Sequence, residues 1–335
     1  MSNKRIAWID ICRGIGILSV IYAHGLSEDK FRFIFYAFHI PLFFFLSGIT
    51  LHHKQHESTL KSLKKAVKGV LLPYFIFALI SYGIWLFLNF SFPRLQGSLQ
   101  IFINILYGNG SGKQFFYNSV LWFLPCLFIT RFIFSMLTHA IRSQKVLILV
   151  LSLFSITGYV LATTLPQLKL PFGFETALSG IVFFGWGYFY NSTKKLRDVI
   201  ENKKVLLSIV FTGLLLLFAA GNFLLTGHQV DMRYNRMGNY FLFYLGAFSG
   251  IGLCLSLSYL IQQNKVLEYL GKNSMMLFIW HLIIFSYISK VLFIWITPAT
   301  ISHFRNLYFA PLYSVISIVI ISSILMIYQK IKYNQ

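Results

Sequence analysis

Apolar stretches of membrane-spanning length alternate with short polar links along the whole chain. A spanning helix needs roughly 17–25 mainly apolar residues. Ten runs fit that length to within a residue or so: 6–25, 33–51, 69–91, 119–138, 146–164, 176–191, 205–226, 239–261, 274–296 and 308–328. The pattern predicts an all-α fold, a polytopic transmembrane helix bundle of about ten spans in one domain covering 1–335. A weaker run at 99–107 reads as an interfacial helix before the fourth span, and GNGSG at 108–112 as a flexible connector. No internal repeat and no soluble domain is visible. The first run lacks a small-residue cleavage site, so it reads as a retained span and not a signal peptide.

Composition sharpens this picture. With 57% hydrophobic and only 11% charged residues, the chain is not an ordinary soluble domain. Its net charge of +20 could suggest nucleic acid, but the basic residues are scattered between apolar runs, so no nucleic-acid partner is expected. Topology accounts for the charge better. If the N-terminus is internal, the cytoplasmic links and tails hold 18 Lys and Arg, against 8 in the opposite loops. That bias puts both termini in the cytoplasm. The cysteines Cys12, Cys126 and Cys254 all lie in apolar runs and read as packing residues.

Candidate chemistry begins in the first span, IDICRGIGILSVIYAHG at 9–25, which carries Asp10, Arg13 and His24. Each charge in lipid costs roughly 2.5–3.5 kcal/mol even on insertion scales. At about 100° per residue the three side chains share one helix face, with Arg13 and His24 about 16 Å apart along the axis. Asp10 is the only acid inside any of the ten runs, and pairing with Arg13 would offset part of its burial cost. The bland alternative is an ion pair that fixes packing, plus an interfacial histidine. His39 opens the second span near the depth of His24, and Ser47 and Gly48 would let helices approach closely. Lys61, Lys65 and Lys68 recur on one helix face at the cytoplasmic entry to the third span, either as ordinary inside charge or as a polyphosphate site. His281 sits about two turns into the ninth span, at a depth counted as similar to Arg13. Arg131 lies inside the fourth span without an evident role. The outer loop at 226–240 offers Asp231, Arg233, Asn235, Arg236 and Asn239 as sugar-binding groups or simply as a solvated surface. His52, His53 and His56 cluster without acidic or cysteine partners, so no metal is expected.

Together these pieces resemble the acyltransferase-3 family of bacterial integral-membrane O-acyltransferases, over essentially the whole chain. The resemblance rests on four features in order: Arg13 and His24 separated by ten residues, FHIPLFFFLSG at 38–48, the basic entry leading to Pro73 and Tyr74, and LGKNSMMLFIWH ending at His281. LWFLPCLF at 121–128 and RMGNY at 236–240 resemble a fucose 4-O-acetylase-like branch. One departure concerns the basic pair, usually Arg-rich in the family and here Lys65 and Lys68. Lys keeps the charge but lacks the planar fork that grips phosphate.

The resemblance implies an enzyme of the bacterial inner membrane. It would move an acyl group, usually acetyl, from cytoplasmic acetyl-CoA to a hydroxyl of an envelope glycan such as O-antigen, capsule or exopolysaccharide. Acetyl-CoA would be the co-substrate, and the acceptor a glycan, lipid-linked or free, met at the membrane. On that reading His24 is the general base or a transient acyl acceptor, Arg13 positions the thioester or CoA and stabilises developing negative charge, and Asp10 orients Arg13. Lys65, Lys68 and His281 would help hold CoA, with His39 and the outer-loop residues on the acceptor side. The rival class is a transporter or flippase for a polysaccharide precursor, which would move cargo without consuming a thioester. A structural subunit of a glycan-assembly complex would do neither.

Overall fold

The computed structural model describes residues 6–26, 31–52, 59–88, 95–109, 118–295 and 310–333. In chain order its helices are α1 (Ala7–Gly25), α2 (Arg32–Tyr36), α3 (His39–His52), α4 (Thr59–Ala66), α5 (Leu72–Leu88) and α6 (Leu95–Tyr107). Then follow α7 (Phe123–Ala140), α8 (Gln144–Thr164), α9 (Phe174–Ser192), α10 (Lys194–Asn202) and α11 (Lys204–Thr226). The chain continues through α12 (Tyr240–Ile261), α13 (Lys265–Lys272), α14 (Ser274–Trp295) and α15 (Ala310–Tyr333). Among the described residues the only β pairing is one bridge, Asp231 with Arg236. The protein is an all-α helix bundle.

Each of the ten apolar runs is mainly helical over its described residues, and among these eight helices are long and apolar enough to cross a membrane. The runs that became α9 and α14 fall outside that set. α14 is apolar over a shorter described stretch, Ser274–Phe285. α9 carries Glu175, Ser179 and Asn191 and is packed against α3, α7 and α8, so it needs less apolar surface than a lipid-facing helix. The lipid-facing role falls to helices such as α8, α11 and α15, whose exposed positions include Leu149, Leu153, Leu217, Leu224 and Ile324. The run at 99–107 is indeed helical, within α6. The GNGSG connector lies outside the described residues from position 110, as do His53 and His56.

The basic entry to the third span departs from a uniform α-helix. A π-helical turn, Val67–Leu71, joins α4 to α5 and changes the register between Lys65 and Lys68. Single π turns inside helices frequently mark functional sites. The buried face of α4 holds Ser62 and Ala66, while Lys61, Lys65 and Lys68 are exposed.

α1 is the helix around which the site is built. It is packed against α3, α12, α13, α14 and α15. Glycines set the closest of these approaches. A Cβ on Gly14 would lie 2.3 Å from the Leu267 carbonyl oxygen, and one on Gly271 would lie 1.8 Å from that of Asp10. α13 therefore runs antiparallel along the first half of α1 in near backbone contact. Gly48 and Gly187 do the same for α3 and α9, facing the Phe184 and Phe45 carbonyls at 1.9 Å each. The three cysteines are free thiols, buried in the packing.

Candidate active site

On α1, Asp10 is buried, while Arg13 and His24 are half-buried toward opposite ends of the helix. Asp10 is 3% exposed, and its Oδ1 lies 3.5 Å from Arg13 Nη1, so the expected pair forms. It is not the only acid buried in the helices. α9 begins at Phe174, two residues before the apolar run, which brings Glu175 into its first turn. Glu175 accepts hydrogen bonds from Asn109 Nδ2 at 3.0 Å and the Leu170 amide at 3.1 Å, a structural role at the outer end of the bundle.

At the other end of α1, three histidines from three helices converge. The His24 ring centroid is 5.0 Å from that of His281 and 6.3 Å from that of His39. All three use Nδ1 in the same way. His24 Nδ1 lies 2.8 Å from the Val20 carbonyl oxygen, and His39 Nδ1 lies 2.6 Å from that of Phe35. His281 Nδ1 contacts the carbonyls of Phe278 at 2.7 Å and Leu277 at 3.1 Å. A carbonyl oxygen only accepts, so each Nδ1 carries the proton. In the neutral ring Nε2 is then the basic nitrogen. The helical hydrogen bond to the preceding turn fixes the tautomer and aims the base away from its own backbone. Among the described residues, His281 Nε2 is buried without a hydrogen-bond partner.

This placement corrects one expectation. His281 is not level with Arg13. It stands beside His24, roughly 16 Å further along α1.

His24 and His39 lie at a cavity of about 490 Å³ on the side opposite the Lys-rich links, with His281 packed against His24. His24 and His39 line it, joined by Arg32 and Tyr36 of α2, Ser119 and Trp122 before α7, and the outer loop at Asp231 and Arg233. Arg32 donates to the Tyr36 hydroxyl and also lies over its ring at 4.5 Å. The Tyr36 ring is 4.9 Å from His39 and 5.9 Å from His24. Because its oxygen accepts from Arg32, the Tyr36 hydroxyl proton points elsewhere and can be donated.

The outer loop is a rigid turn. Asp231 and Arg236 exchange backbone hydrogen bonds of 2.7 and 2.9 Å, and Asn235 takes the left-handed conformation that closes the turn. Asp231 Oδ1 accepts the Arg233 amide at 3.1 Å. Burial nevertheless pushes the Asp231 carboxyl above the usual carboxylate range, against the opposing pull of Arg233.

The structure places the sequence candidates in several different settings. His24, His39, Asp231 and Arg233 come together at the outer cavity, with His281 behind His24. Asn235 and Arg236 line a neighbouring cavity. Asn239 does a structural job, its Oδ1 capping α12 through the amides of Phe241 and Leu242 at 3.1 and 3.2 Å. Arg13, with Asp10, stands apart toward the Lys-rich end. Arg131 Nη2 reaches Ser62 Oγ of α4 at 3.4 Å, below the exposed face that carries Lys65. Arg32, Tyr36, Ser119 and Trp122 are site residues that sequence reasoning did not single out. The signals available were the i, i+4 spacing of Arg32 and Tyr36 and the place of Trp122 in LWFLPCLF.

A family model described as an acyltransferase domain matches residues 6–327. No curated protein matches the chain.

Proposed function

The chain belongs to the acyltransferase-3 family and is a multi-pass membrane acyltransferase, and from that premise we propose that it moves an acetyl group from cytoplasmic acetyl-CoA to a sugar hydroxyl of an envelope polysaccharide. The resemblance of 121–128 and 236–240 to the fucose-modifying branch favours a deoxysugar. The observation that carries the reading is the His24 imidazole. Its Nδ1 proton is anchored on Val20, and its ring stands at the inner end of a polar outer cavity.

In the proposed reaction His24 Nε2 takes the proton of the acceptor hydroxyl as its oxygen attacks the thioester carbonyl carbon. The C–O bond forms, the C–S bond breaks, and His24 returns the proton to the departing CoA sulfur. A correctly placed general base contributes typically 10²–10⁴-fold. The Tyr36 hydroxyl, supported by Arg32, is a donor within reach of the negative charge that develops on the carbonyl oxygen. His39 and His281 would hydrogen-bond the reacting groups through Nε2.

Arg13 lies about 16 Å from His24 along α1. It is therefore assigned to the arm or phosphates of CoA, with Asp10 orienting it, and not to the reacting carbonyl. An extended acyl-pantetheine arm spans a distance of that order. Lys65 and Lys68 would attract the CoA phosphates at the cytoplasmic end.

Purified protein in detergent is the test, with release of free CoA from acetyl-CoA measured with and without candidate sugars. His24→Ala should lower release by at least about 10²-fold while the protein still purifies as a folded monodisperse species. Full release in His24→Ala would remove His24 from the chemistry. No release by folded wild-type protein with any sugar would refute the thioester donor.

A further inference from the structure

A second cavity, of about 380 Å³, opens beside the first on the same end of the bundle. Its walls come from the end of α8 and the link after it, including Tyr159, Ala162, Gln167 and Lys169, and from the outer loop at Asn235 and Arg236. Tyr234 lines both cavities, so one side chain is the partition between them. The two arginines flanking it in sequence both lie over its ring. Arg233 lies 4.9 Å from the Tyr234 centroid and belongs to the first cavity, while Arg236 lies 5.5 Å away and belongs to the second.

The partition is held in place from several sides. The Asp231–Arg236 bridge closes the turn beneath it, and Thr176 Oγ1 donates to the Met232 carbonyl at 3.1 Å. Lys169 Nζ donates to the Tyr234 carbonyl at 3.4 Å. A wall fixed in this way is preorganised for a ligand.

The charges of the two cavities differ. The first mixes Asp231 with Arg32 and Arg233, whereas the lining of the second holds Lys169 and Arg236 and no acid. Glu175, the acid that acts most on Lys169, accepts from Asn109 and the Leu170 amide and lies outside the cavity lining. Burial holds Lys169 below the usual lysine range; Glu175 opposes that, the Arg236 charge adds to it, and Asp231 opposes it more weakly. An anion placed between the two cations would relieve both the burial and the repulsion.

We infer that the acceptor is a saccharide chain lying across Tyr234, with the hydroxyl to be acylated in the first cavity and an adjoining sugar that carries a negative charge, such as a uronate carboxylate, in the second. Tyr234, with Arg233 and Arg236 over its ring, stands at the point where the chain crosses. Gln167 and Asn235 supply amide groups for sugar hydroxyls. This inference rests on the proposed polysaccharide acceptor and adds that the sugar adjoining the acylated one is acidic.

Binding is measured by calorimetry on the full chain in detergent, without acetyl-CoA. The probes are galacturonic and glucuronic acid, their linear tetramers, and neutral tetramers of galactose and glucose. An acidic tetramer should bind at least tenfold tighter than its own monomer and than the neutral tetramer of the same backbone. Arg236→Gln should bring the tetramer-to-monomer ratio close to one, and Arg236→Lys should keep most of it. Ala162→Phe fills the second cavity from α8 without touching the outer loop, and should also collapse the ratio. Tetramers that bind no better than monomers, neutral tetramers that match acidic ones, or a ratio that survives both Arg236→Gln and Ala162→Phe would overturn the inference. Because no thioester is present, the outcome is separable from the function: tetramer binding with no CoA release in the enzymatic assay would refute the reaction and leave the cavity standing.

Discussion

Gly271→Ala is the sharpest test of how the bundle positions its chemistry. The added Cβ would sit 1.8 Å from the Asp10 carbonyl oxygen. Ordinary contact needs about 3.5 Å, so α13 and α1 must separate by more than 1.5 Å or tilt to match. The obstacle is a main-chain atom within a helix, which cannot swing aside as a side chain would. Overpacking a tight interior costs typically 1–3 kcal/mol, and a backbone clash belongs at the upper end, about 3 kcal/mol. The functional effect should be larger than the stability effect. α1 carries Asp10, Arg13 and His24, and α14, which carries His281, follows α13 after a single residue. The 5.0 Å spacing of His24 and His281 therefore depends on the α1–α13 contact. A misplacement of about 1 Å can cost on the order of 10²-fold in rate. Gly213→Ala in α11 is the matched control, since nothing lies within 4 Å of its added Cβ. Helix propensity alone predicts a gain of up to about 1 kcal/mol there. The assay is thermal unfolding of both variants in one detergent, with CoA release from acetyl-CoA at a temperature where both are folded. Gly271→Ala should unfold at lower temperature than Gly213→Ala and release CoA at least tenfold more slowly than wild type. If the two variants are equally stable and equally active, the close approach of α13 does not position the site.

Two further predictions concern charge. Lys65 and Lys68 are exposed, so each contributes only a fraction of a kcal/mol to holding phosphate; replacing both with Gln should raise KM for acetyl-CoA about 3–10-fold at low salt with kcat little changed, and an unchanged KM would remove them from the donor site. Added salt should shrink the difference, because exposed charges are screened. Asp231 has its carboxyl pKa raised by burial, so the folded protein favours the protonated form. Its contribution to stability is full below the ordinary carboxylate range, about pH 4, and is lost as pH rises through the raised value. Asp231→Asn can still accept the Arg233 amide, so wild type should lose stability relative to this variant between pH 4 and pH 7. A Tm difference that stays flat over that range would refute the assignment.

The fold was largely readable because lipid imposes a strong rule: every backbone group must bond within a helix or a barrel, and every span must be long and apolar. Ten runs, an even number, and the basic bias of alternate links led directly to the bundle. The Asp10–Arg13 pair was also readable, since residues three apart on a helix are neighbours whatever surrounds them. Gly48 could be recognised as a contact residue, but its partner on α9 could not. Asn239 looked like a surface donor because a capping asparagine and a ligand-binding asparagine are the same letter in a polar loop. Arg32 and Tyr36 passed unnoticed for a related reason. An arginine in an outer loop usually faces water, and only the tertiary packing turns this one toward His24.

His281 exposes the physical limit most clearly. Counting residues inward from the link at 262–273 placed it level with Arg13. That count assumes that the link lies outside the bundle. Instead the link folds into α13, and Gly14 and Gly271 let it lie along α1 from Leu267 at Gly14 to Gly271 at Asp10. The ninth span thus begins beside Asp10, already within the bundle, and its seventh residue after Ser274 arrives at His24. The glycines that permit this are ordinary in composition; their effect comes from matching a partner helix 250 residues away in sequence. The consequence for mechanism is a division along α1. Arg13 and Asp10 serve one end with the Lys-rich entry, while three Nδ1-anchored imidazoles serve the other. If Gly271→Ala slows acyl transfer while Arg13 still supports binding of acetyl-CoA, that division holds, because the substitution would have moved His281 and spared the donor end.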